Sequence, residues 1–462
     1  MVKKRKIKKI IDRPKKKQLK SKKGIEEEEV KSSTVKEKFV PQALRGMRDI
    51  LPEEQRYWEY VLEKMAKISK LYGFEKIDIP VLEDAALFRR TIGITTDIVE
   101  KEMFSFSDKS GREIALRPEM TAGIARAYIE NGLSNLPQPL KLYTFGSLFR
   151  YEKPQSGRQR EFHQFNLEIL GSASPVIDSQ IIILSQNIFK ELKLETELQI
   201  NSLGCPLCRN EYKKKLLESV RYKKKLLCPT CQTRLTKNPL RIFDCKEKNC
   251  REVSYTFPYI IDSLCDVCKN HFIKVLENLD ELQIPYNLNP RLVRGLDYYT
   301  KTVFEFWPVR AGLSEDEKAK ISLAGGGRYD ELIQSLGGKP TPAVGIAFGL
   351  ERIIEEMKMQ KQTPPKPKKT LVFLAHIGEA AKKRALRLFE ELKEEKINVK
   401  ESLGKDSLKA QLELANKIGA KFVLILGQDE VSHRTIIIRN METGIQEIVD
   451  LDKIVKELRK RL

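Results

Sequence analysis

At 462 residues the chain is too long for one ordinary hydrophobic core, so two or three domains are expected. It carries 85 Lys and Arg against 64 Asp and Glu, and this net charge of +21 predicts a polyanionic partner, with nucleic acid ahead of a membrane surface. No apolar run approaches the ~18 residues of a membrane span, and no secretory signal is visible. These features exclude a membrane protein and predict a soluble, cytoplasmic one.

The first 24 residues hold 13 basic side chains and a single acid, Asp12, and the acidic run Glu26–Glu29 follows. Blocks of like charge are normally disordered. Residues 1–40 are therefore predicted to be a basic tail. It would serve either as a solvating segment or as a non-specific RNA tether, and the sequence leaves both interpretations open.

Hydrophobic periodicity predicts a folded region that begins near residue 41. Apolar residues at helical spacing indicate helices, and short runs rich in aromatic and β-branched residues indicate strands. The predicted elements are a helix at 53–72, a strand within 74–83 that ends near Pro80, a strand, turn and helix within 114–132, two strands at 141–152 and 160–171 joined by a polar loop, and a helix at 175–194.

All eight cysteines fall in a Lys-rich, helical segment at about 205–285 that looks like an insertion. In a reducing compartment, cysteines favour thiols or metal sites over disulfides. Nineteen residues separate the first two Cys-x2-Cys pairs, which is within the range of a four-cysteine zinc ribbon. The spacing predicts a structural Zn²⁺ held by Cys205, Cys208, Cys228 and Cys231. The alternative is a set of reduced thiols packed as small hydrophobic groups.

After this segment, strand chemistry returns at 291–309, a Gly-rich turn precedes a helix within 321–336, and a strand runs into a helix at 342–358. The Pro- and Lys-rich residues 359–369 are a predicted linker. Beyond them, strands and helices alternate, which predicts a compact α/β domain with a mixed sheet at 370–462.

Three motifs in chain order resemble those of class II aminoacyl-tRNA synthetases. They are GFEKIDIPVLE (73–83) with Pro80; then Arg150, Glu152, Arg158 and Phe162; then Gly345, Gly349, Glu351 and Arg352. Five further segments are similar to signatures of the histidyl-tRNA synthetase family, and the resemblance runs from about residue 41 to 462. They are RGMRDILPEE (45–54), LRPEMTAG (116–123), NPLRIFDCK (238–246), LVRGLDYYT (292–300) and GGGRYD (325–330).

The resemblance implies an α/β protein with an α+β catalytic domain at 41–358, built on the antiparallel sheet of class II synthetases. The Cys-rich helical insertion interrupts it, and an anticodon-binding domain follows at 370–462. The implied activity is that of a histidine–tRNA ligase. Such an enzyme activates L-histidine with ATP and Mg²⁺, releases pyrophosphate, and transfers histidine to the 3′ end of tRNA(His). The family also implies a homodimer.

Activation is an in-line attack of a carboxylate on the α-phosphate, and fixed guanidinium groups stabilise the negative charge that grows there. By resemblance, Arg150 and Arg294 are the catalytic cations. The residues that the resemblance assigns to ATP are Arg150 at the α-phosphate, Arg158 at the γ-phosphate, Phe162 and Arg352 around the adenine, and Glu152 near it.

Recognition of histidine requires partners for both imidazole nitrogens and acceptors for the α-ammonium group. A site built on buried hydrogen bonds rejects analogues that leave one of its groups unpaired. The resemblance assigns the imidazole to Glu168 and Tyr299, with Tyr298 beside them, and the ammonium group to Glu119, Thr121 and Gln164.

Two other classes of protein remain to be weighed. One is a catalytically silent relative, such as the regulatory subunit of ATP phosphoribosyltransferase. The other is a zinc-dependent RNA-binding protein without catalysis, which leaves the ATP and histidine residues unexplained. Histidine-dependent exchange of pyrophosphate into ATP separates all three.

Overall fold

The computed structural model describes residues 41–93, 96–152, 159–245, 247–314, 317–318, 321–365 and 372–462. Every element given below lies within residues 45–462, which form one compact unit. The tail predicted at 1–40 lies outside the described residues. None of the helices in the described part combines the length and the apolar content needed to cross a membrane.

A large, mostly antiparallel sheet forms the centre of the region before the linker. Its strands, from one edge to the other, are β1 (Glu75–Lys76), β5 (Leu140–Phe149), β6 (Glu161–Leu170), β11 (Ala343–Gly349), β10 (Ala324–Arg328), β9 (Thr300–Pro308), β7 (Thr196–Ser202) and β8 (Asn287–Leu288). A small sheet beside it consists of β2 (Leu82–Asp84), β4 (Glu113–Leu116) and β3 (Ser105–Ser107).

The helices of this region connect and cover the strands. They are α1 (Pro52–Leu71), α2 (Ala85–Ile92), α3 (Thr121–Glu130), α4 (Pro175–Glu191), α5 (Pro206–Val220), α6 (Pro229–Lys237), α7 (Lys248–Ser254), α8 (Asp266–Glu281), α9 (Leu332–Ser335) and α10 (Leu350–Met359), with a π-helical turn at Ile98–Glu102. Helices α5 to α8 make up the Cys-rich segment, as its composition predicted.

Strand alternation gives the large sheet two different faces. On β6, Phe165, Leu167 and Ile169 are buried in a core with Trp58 of α1 and Ile182 of α4. The residues between them on the same strand therefore point to the opposite face, because successive side chains on a strand alternate sides. That opposite face carries the polar side chains of the chain's main cavity.

Two predicted elements differ in the structure. The strand predicted to end near Pro80 is shorter: β1 ends at Lys76, and β2, beyond Pro80, lies in a different sheet. A proline cannot donate to a sheet ladder, which agrees with a break between the two strands. The Gly-rich residues Gly325–Gly327 are not a turn but most of β10, which pairs with β11 and β9. A Cβ at Gly326 would collide with the carbonyl of Gly345, so this strand requires glycine.

The last part of the chain has the mixed sheet that its sequence pattern predicts. The strand order is β13 (Val399–Glu401), β12 (Val372–His376), β14 (Phe422–Leu426), β15 (Thr435–Asn440) and β16 (Gln446–Asp450). The helices are α11 (Glu379–Glu394), α12 (Leu408–Lys417), α13 (Gln428–His433) and α14 (Ile454–Arg461). The pairs β12–β13 and β12–β14 are parallel and the other two are antiparallel, so the predicted fold class is confirmed in both parts.

One buried ion pair ties β10 to α4. Arg328 is fully buried, and its Nε donates to both carboxylate oxygens of Asp178, at 3.0 and 3.1 Å. Burial alone would raise the pKa of Asp178, but Arg328 outweighs it and holds that pKa below its ordinary value. Arg328 also donates to Asp330 at 3.0 Å and to the Ser172 carbonyl at 2.8 Å.

We expect Arg328→Met to destabilise the protein by about 3–5 kcal/mol, because Asp178 would be left as a buried charge without its cation. Denaturant unfolding of the variant and the parent measures this difference. The double variant Arg328→Met/Asp178→Leu removes both charges and should recover part of the loss. A single variant within about 1 kcal/mol of the parent would contradict a structural role for the pair.

Candidate functional site

The main cavity has a volume of about 730 Å³ and lies on the polar face of the large sheet. Gln164, Asn166 and Glu168 of β6 line it, in alternation with the core residues of the same strand. Gly345 and Gly349 of β11 line it next to them. Two neighbouring strands therefore form the floor of the cavity. β6 contributes polar side chains, and β11 contributes glycine residues.

Arg150 follows β5 and enters the cavity. Its guanidinium group lies 5.1 Å from the ring centroid of Phe162, and its Nε donates to the Pro118 carbonyl at 2.9 Å. Burial lowers the pKa of Arg150. A bound anion would reverse this effect, so the site favours a negatively charged ligand.

Arg294 is a second cation in the cavity, and its side chain is half-buried. It forms an ion pair with Glu305, whose other oxygen accepts from Trp307 Nε1 at 2.8 Å. Burial opposes the charged form, but the pair with Glu305 outweighs it and raises the pKa of Arg294. The Nε atom of Arg294 is buried, with no hydrogen-bond partner in the described part of the chain. A Cβ at Gly325 would strike this guanidinium, so glycine is required there.

Two buried carboxyl groups form the other polar centre of the cavity. Glu119 accepts from the backbone N–H groups of Thr121 at 2.7 Å and Ala122 at 2.8 Å, in the first turn of α3. Thr121 Oγ1 donates to one oxygen of Glu168 at 2.8 Å, and Tyr329 Oη donates to the other at 2.5 Å. Both oxygens of Glu168 are therefore held in fixed directions.

Burial dominates the protonation of these carboxyl groups. It raises the pKa of Glu168 to about 8, against the opposing hydrogen bonds from Tyr329 and Thr121, and nearby Glu119 adds to the rise. Burial also raises the pKa of Glu119. Near pH 7 the empty site therefore keeps a proton on Glu168. A ligand that brings positive charge or N–H donors would favour the carboxylate instead.

Two adjacent tyrosines complete this end of the cavity. The rings of Tyr298 and Tyr299 lie 4.7 Å apart, and Tyr298 Oη donates to Glu119 at 3.5 Å. Arg294 lies 5.6 Å from the ring centroid of Tyr299. The segment 294–299 thus joins the cationic end of the cavity to its carboxyl end.

The cavity brings together eleven of the twelve residues predicted to bind ATP or histidine. These are Glu119, Thr121, Arg150, Glu152, Phe162, Gln164, Glu168, Arg294, Tyr298, Tyr299 and Arg352. Arg158, the twelfth, lies outside the described residues. Arg352 Nη1 donates to the Ser322 carbonyl at 2.7 Å. The roles of all twelve stay predictions.

Two residues of the site were missed by the sequence reasoning. Tyr329 contacts Glu168 directly, and its signal was its place in GGGRYD, a segment recognised without a role for this side chain. Glu305 forms the ion pair with Arg294. Its signal in the sequence was an acidic residue between Phe304 and Phe306, because alternation along the strand places it on the face opposite to these two core residues.

A buried contact joins the second and third motifs. Glu351 accepts from the backbone N–H of His163 at 3.0 Å, and its carboxylate lies 2.8 Å from His163 Nδ1. The other ring nitrogen lies 3.0 Å from Ser147 Oγ. His163 is therefore held by contacts on both sides of its ring.

The cysteines group differently from the predicted zinc ribbon. The four predicted ligands are split between two clusters of four cysteines. Within each cluster, the four sulfurs lie within 4.8 Å of one another. The root cluster contains Cys205, Cys208, Cys265 and Cys268, and the inner cluster contains Cys228, Cys231, Cys245 and Cys250. Sequence spacing predicted that the first two Cys-x2-Cys pairs share one site. In the fold, the start of α8 lies beside the start of α5, so the first pair, Cys205 and Cys208, meets the last pair, Cys265 and Cys268.

Comparisons with known proteins agree with this architecture. A family model described as histidyl-tRNA synthetase matches residues 46–210 and 259–353, and an anticodon-binding domain model matches 371–461. A histidine–tRNA ligase of Acetivibrio thermocellus is 46% identical over 422 residues, which cover 91% of this chain and 100% of that protein.

Solved structures are similar as well. The apo crystal structure of S. aureus histidyl-tRNA synthetase has a TM-score of 0.75 and 32% identity, and the match covers 90% of this chain and 99% of that one. An ATP phosphoribosyltransferase regulatory subunit/histidyl-tRNA synthetase from Bacillus halodurans shares the fold, with a TM-score of 0.58, 21% identity, and coverage of 84% and 99%.

An antiparallel sheet with the second and third motifs at one cavity, followed by an anticodon-binding domain, defines a class II aminoacyl-tRNA synthetase, an enzyme of the ligase class. Among these enzymes, the chain belongs to the histidyl-tRNA synthetase family.

Glycine at 345 should be essential for the position of Glu168, because a Cβ there would collide with its carboxyl group. We expect Gly345→Ala to raise the KM for histidine by ~10-fold or more in pyrophosphate exchange. Gly349→Ala on the same strand is the matched control, since a Cβ there meets nothing closer than 3.5 Å. Equal effects of the two substitutions would show that strand flexibility matters rather than Glu168.

Proposed function

We propose that the cavity binds ATP and L-histidine together and forms histidyl-adenylate, which then passes histidine to the 3′ end of tRNA(His) with release of AMP. The observation that carries this proposal is the convergence of eleven predicted ligand-binding residues on one cavity of about 730 Å³. The enzyme is a histidine–tRNA ligase.

In the first step, a carboxylate oxygen of histidine bonds to the α-phosphorus of ATP, and the bond to the pyrophosphate oxygen breaks. Arg150 and Arg294 stabilise the charge that develops on the α-phosphate. Both guanidinium groups are half-buried, and fixed donors in a water-poor site need no reorganisation during the reaction. Glu305 acts as the positioning residue for Arg294, since it holds this side chain before any anion arrives.

Nucleotide binding falls to the residues of the second and third motifs. The adenine stacks between Phe162 and Arg352, with Glu152 beside it, and Arg158 binds the γ-phosphate. The support for this arrangement is that Phe162 and Arg352 both line the cavity. A planar cation and an aromatic ring are suitable walls for a purine.

Histidine recognition depends on the carboxyl groups at the other end. Glu168 accepts from an imidazole nitrogen and Tyr299 contacts the other, while Glu119, Thr121 and Gln164 surround the ammonium group. Because Glu168 is 1% exposed and fixed through both oxygens, a side chain without a matching donor would bury this carboxyl group without gaining a hydrogen bond from it. Such a loss is costly, and this gives selectivity without an editing site.

The metal that we propose for activation is Mg²⁺, which would enter with ATP. Carboxylates of Glu152, Glu351 and Glu355 line the cavity and are oxygen ligands of the type that Mg²⁺ accepts alongside phosphate. When bound, the ion neutralises phosphate charge. The predicted structural Zn²⁺ has no part in these steps, because four thiolates leave no open coordination position.

We further propose that residues 41–358 act as the catalytic domain and 370–462 bind the anticodon, with 359–369 as the linker. The match of an anticodon-binding model to 371–461 supports the second assignment. The enzyme would work in the cytoplasm as a homodimer, as the family resemblance implies. Light scattering of the purified protein tests the dimer.

Arg294→Ala should lower histidine-dependent pyrophosphate exchange by at least ~10²-fold, because a preorganised cation at the α-phosphate is lost. The KM for histidine should change much less. Arg291→Ala is the matched control: this arginine is three residues away and packs on Tyr255 at 4.0 Å rather than in the cavity. An exchange rate within a few-fold of the parent would remove Arg294 from catalysis.

Glu168→Gln should raise the KM for histidine about 10-fold or more, with a smaller effect on the KM for ATP, because the charged acceptor is lost.

The pKa of Glu168, about 8, allows a second measurement. Histidine binding at pH 7 should release a proton from Glu168, since the bound ligand lowers that raised pKa. Calorimetry in buffers of different ionisation enthalpy detects this release, which should vanish well above pH 8 and in the variant. Identical proton release by parent and variant would contradict the assignment.

A further inference from the structure

Each of the two cysteine clusters joins segments that are far apart in the chain. In the root cluster, Cys205 and Cys208 stand just after β7, and Cys265 and Cys268 stand at the start of α8. The inner cluster brings the start of α6 together with the segment before α7 and the first turn of α7. The catalytic steps use none of these eight thiols.

The sulfur positions fit single metal ions. Cys205 Sγ and Cys208 Sγ lie 3.7 Å apart, and Cys228 Sγ and Cys245 Sγ lie 3.9 Å apart. Four sulfurs at a Zn–S distance of about 2.3 Å in a tetrahedron are separated by about 3.8 Å. These distances are also far too long for disulfide bonds, and the eight cysteines are free.

Backbone groups around the sulfurs favour thiolates. The N–H of Cys265 donates to Cys208 Sγ at 3.1 Å, and the N–H of Cys228 donates to Cys250 Sγ at 3.0 Å. Each bond links the two halves of its own cluster. Cys205, Cys228 and Cys265 are also the N-caps of α5, α6 and α8, where the helix dipole stabilises negative charge.

We propose that each cluster binds one structural Zn²⁺ through four cysteine thiolates, so that the protein holds two ions per chain. Four soft ligands in a closed tetrahedral set favour zinc over magnesium or calcium and leave no position for substrate. This assignment does not depend on the proposed steps of catalysis, because it rests on the sulfur positions alone.

The two ions also support the segment 294–299. Arg209, in the first turn of α5 next to the root cluster, donates to the Tyr299 carbonyl at 3.2 Å. Arg241, between the two halves of the inner cluster, donates to the Gly295 carbonyl. The ions thus brace two arginines that hold the two ends of the segment carrying Arg294 and Tyr298.

A neighbouring contact strengthens the link from the inner cluster. Asn238 donates to Asp297 Oδ1 at 2.8 Å, and Arg234 of α6 donates to Asp97 at 2.9 Å and to the Arg241 carbonyl at 3.1 Å. Asn238, just after α6, therefore contacts the segment 294–299 directly. Arg234 of α6 is linked to it through Arg241. Loss of the inner ion should loosen histidine binding before it unfolds the sheet.

Metal analysis of the full-length protein, purified without chelators, tests the assignment. We expect about two zinc ions per chain, and release of both when a mercurial reagent titrates the thiols of the unmutated protein. Cys208→Ser and Cys231→Ser should each leave about one zinc, and the double variant almost none. Thr230→Ala, between two inner-cluster ligands, is the matched control and should keep both ions.

The positioning role has its own measurement. Cys231→Ser should raise the KM for histidine by about 10-fold with a smaller effect on kcat, as expected when a binding loop shifts. Wild-type protein with eight titratable thiols and less than a few tenths of a zinc per chain would overturn the proposal, as would iron or disulfides in place of zinc. A single zinc lost on Cys208→Ser and Cys231→Ser alike would instead establish the one-site ribbon and overturn the two-site assignment.

Discussion

The two-residue period of β6 is the constraint on which the site depends. Phe165, Leu167 and Ile169 face the core, and Gln164, Asn166 and Glu168 face the cavity, so one strand builds both. A slip of one residue would exchange these sets and bury the carboxyl group in the aromatic core. Pairing with β5 over ten positions and with β11 over seven fixes this register from both sides. The same hydrogen bonds that stabilise the sheet therefore aim the substrate-facing groups.

Glycine residues on the neighbouring strands β11 and β10 are the second constraint on the site. Gly345 leaves space for the carboxyl of Glu168, and Gly325 leaves space for the guanidinium of Arg294. Both side chains come from other strands or loops and lie over the glycines. The sheet can thus carry two ionisable groups close to one nucleotide-sized cavity without splitting its strands apart.

Much of this was predictable from the sequence, and the failures have physical causes. The paired strands, the long helices and the convergence of the motif residues follow from periodicity and from the family resemblance. The central strand Gly325–Gly327 did not, because glycine normally marks turns and its need here arises from side chains of distant segments. The cysteine grouping failed for the same reason. Spacing reports neighbours along the chain, while contact between Cys205 and Cys268 depends on the path of α8.

The family model does not match residues 211–258, yet this segment supplies the Arg241 contact to the segment that carries Arg294. The mechanical support of the loop that carries Arg294 thus comes from the Cys-rich segment, through the NPLRIFDCK stretch. Evolution can adjust the stiffness of the histidine pocket there without touching a residue that meets substrate. A small molecule bound between the insertion and this loop would act on catalysis while resembling neither histidine nor ATP.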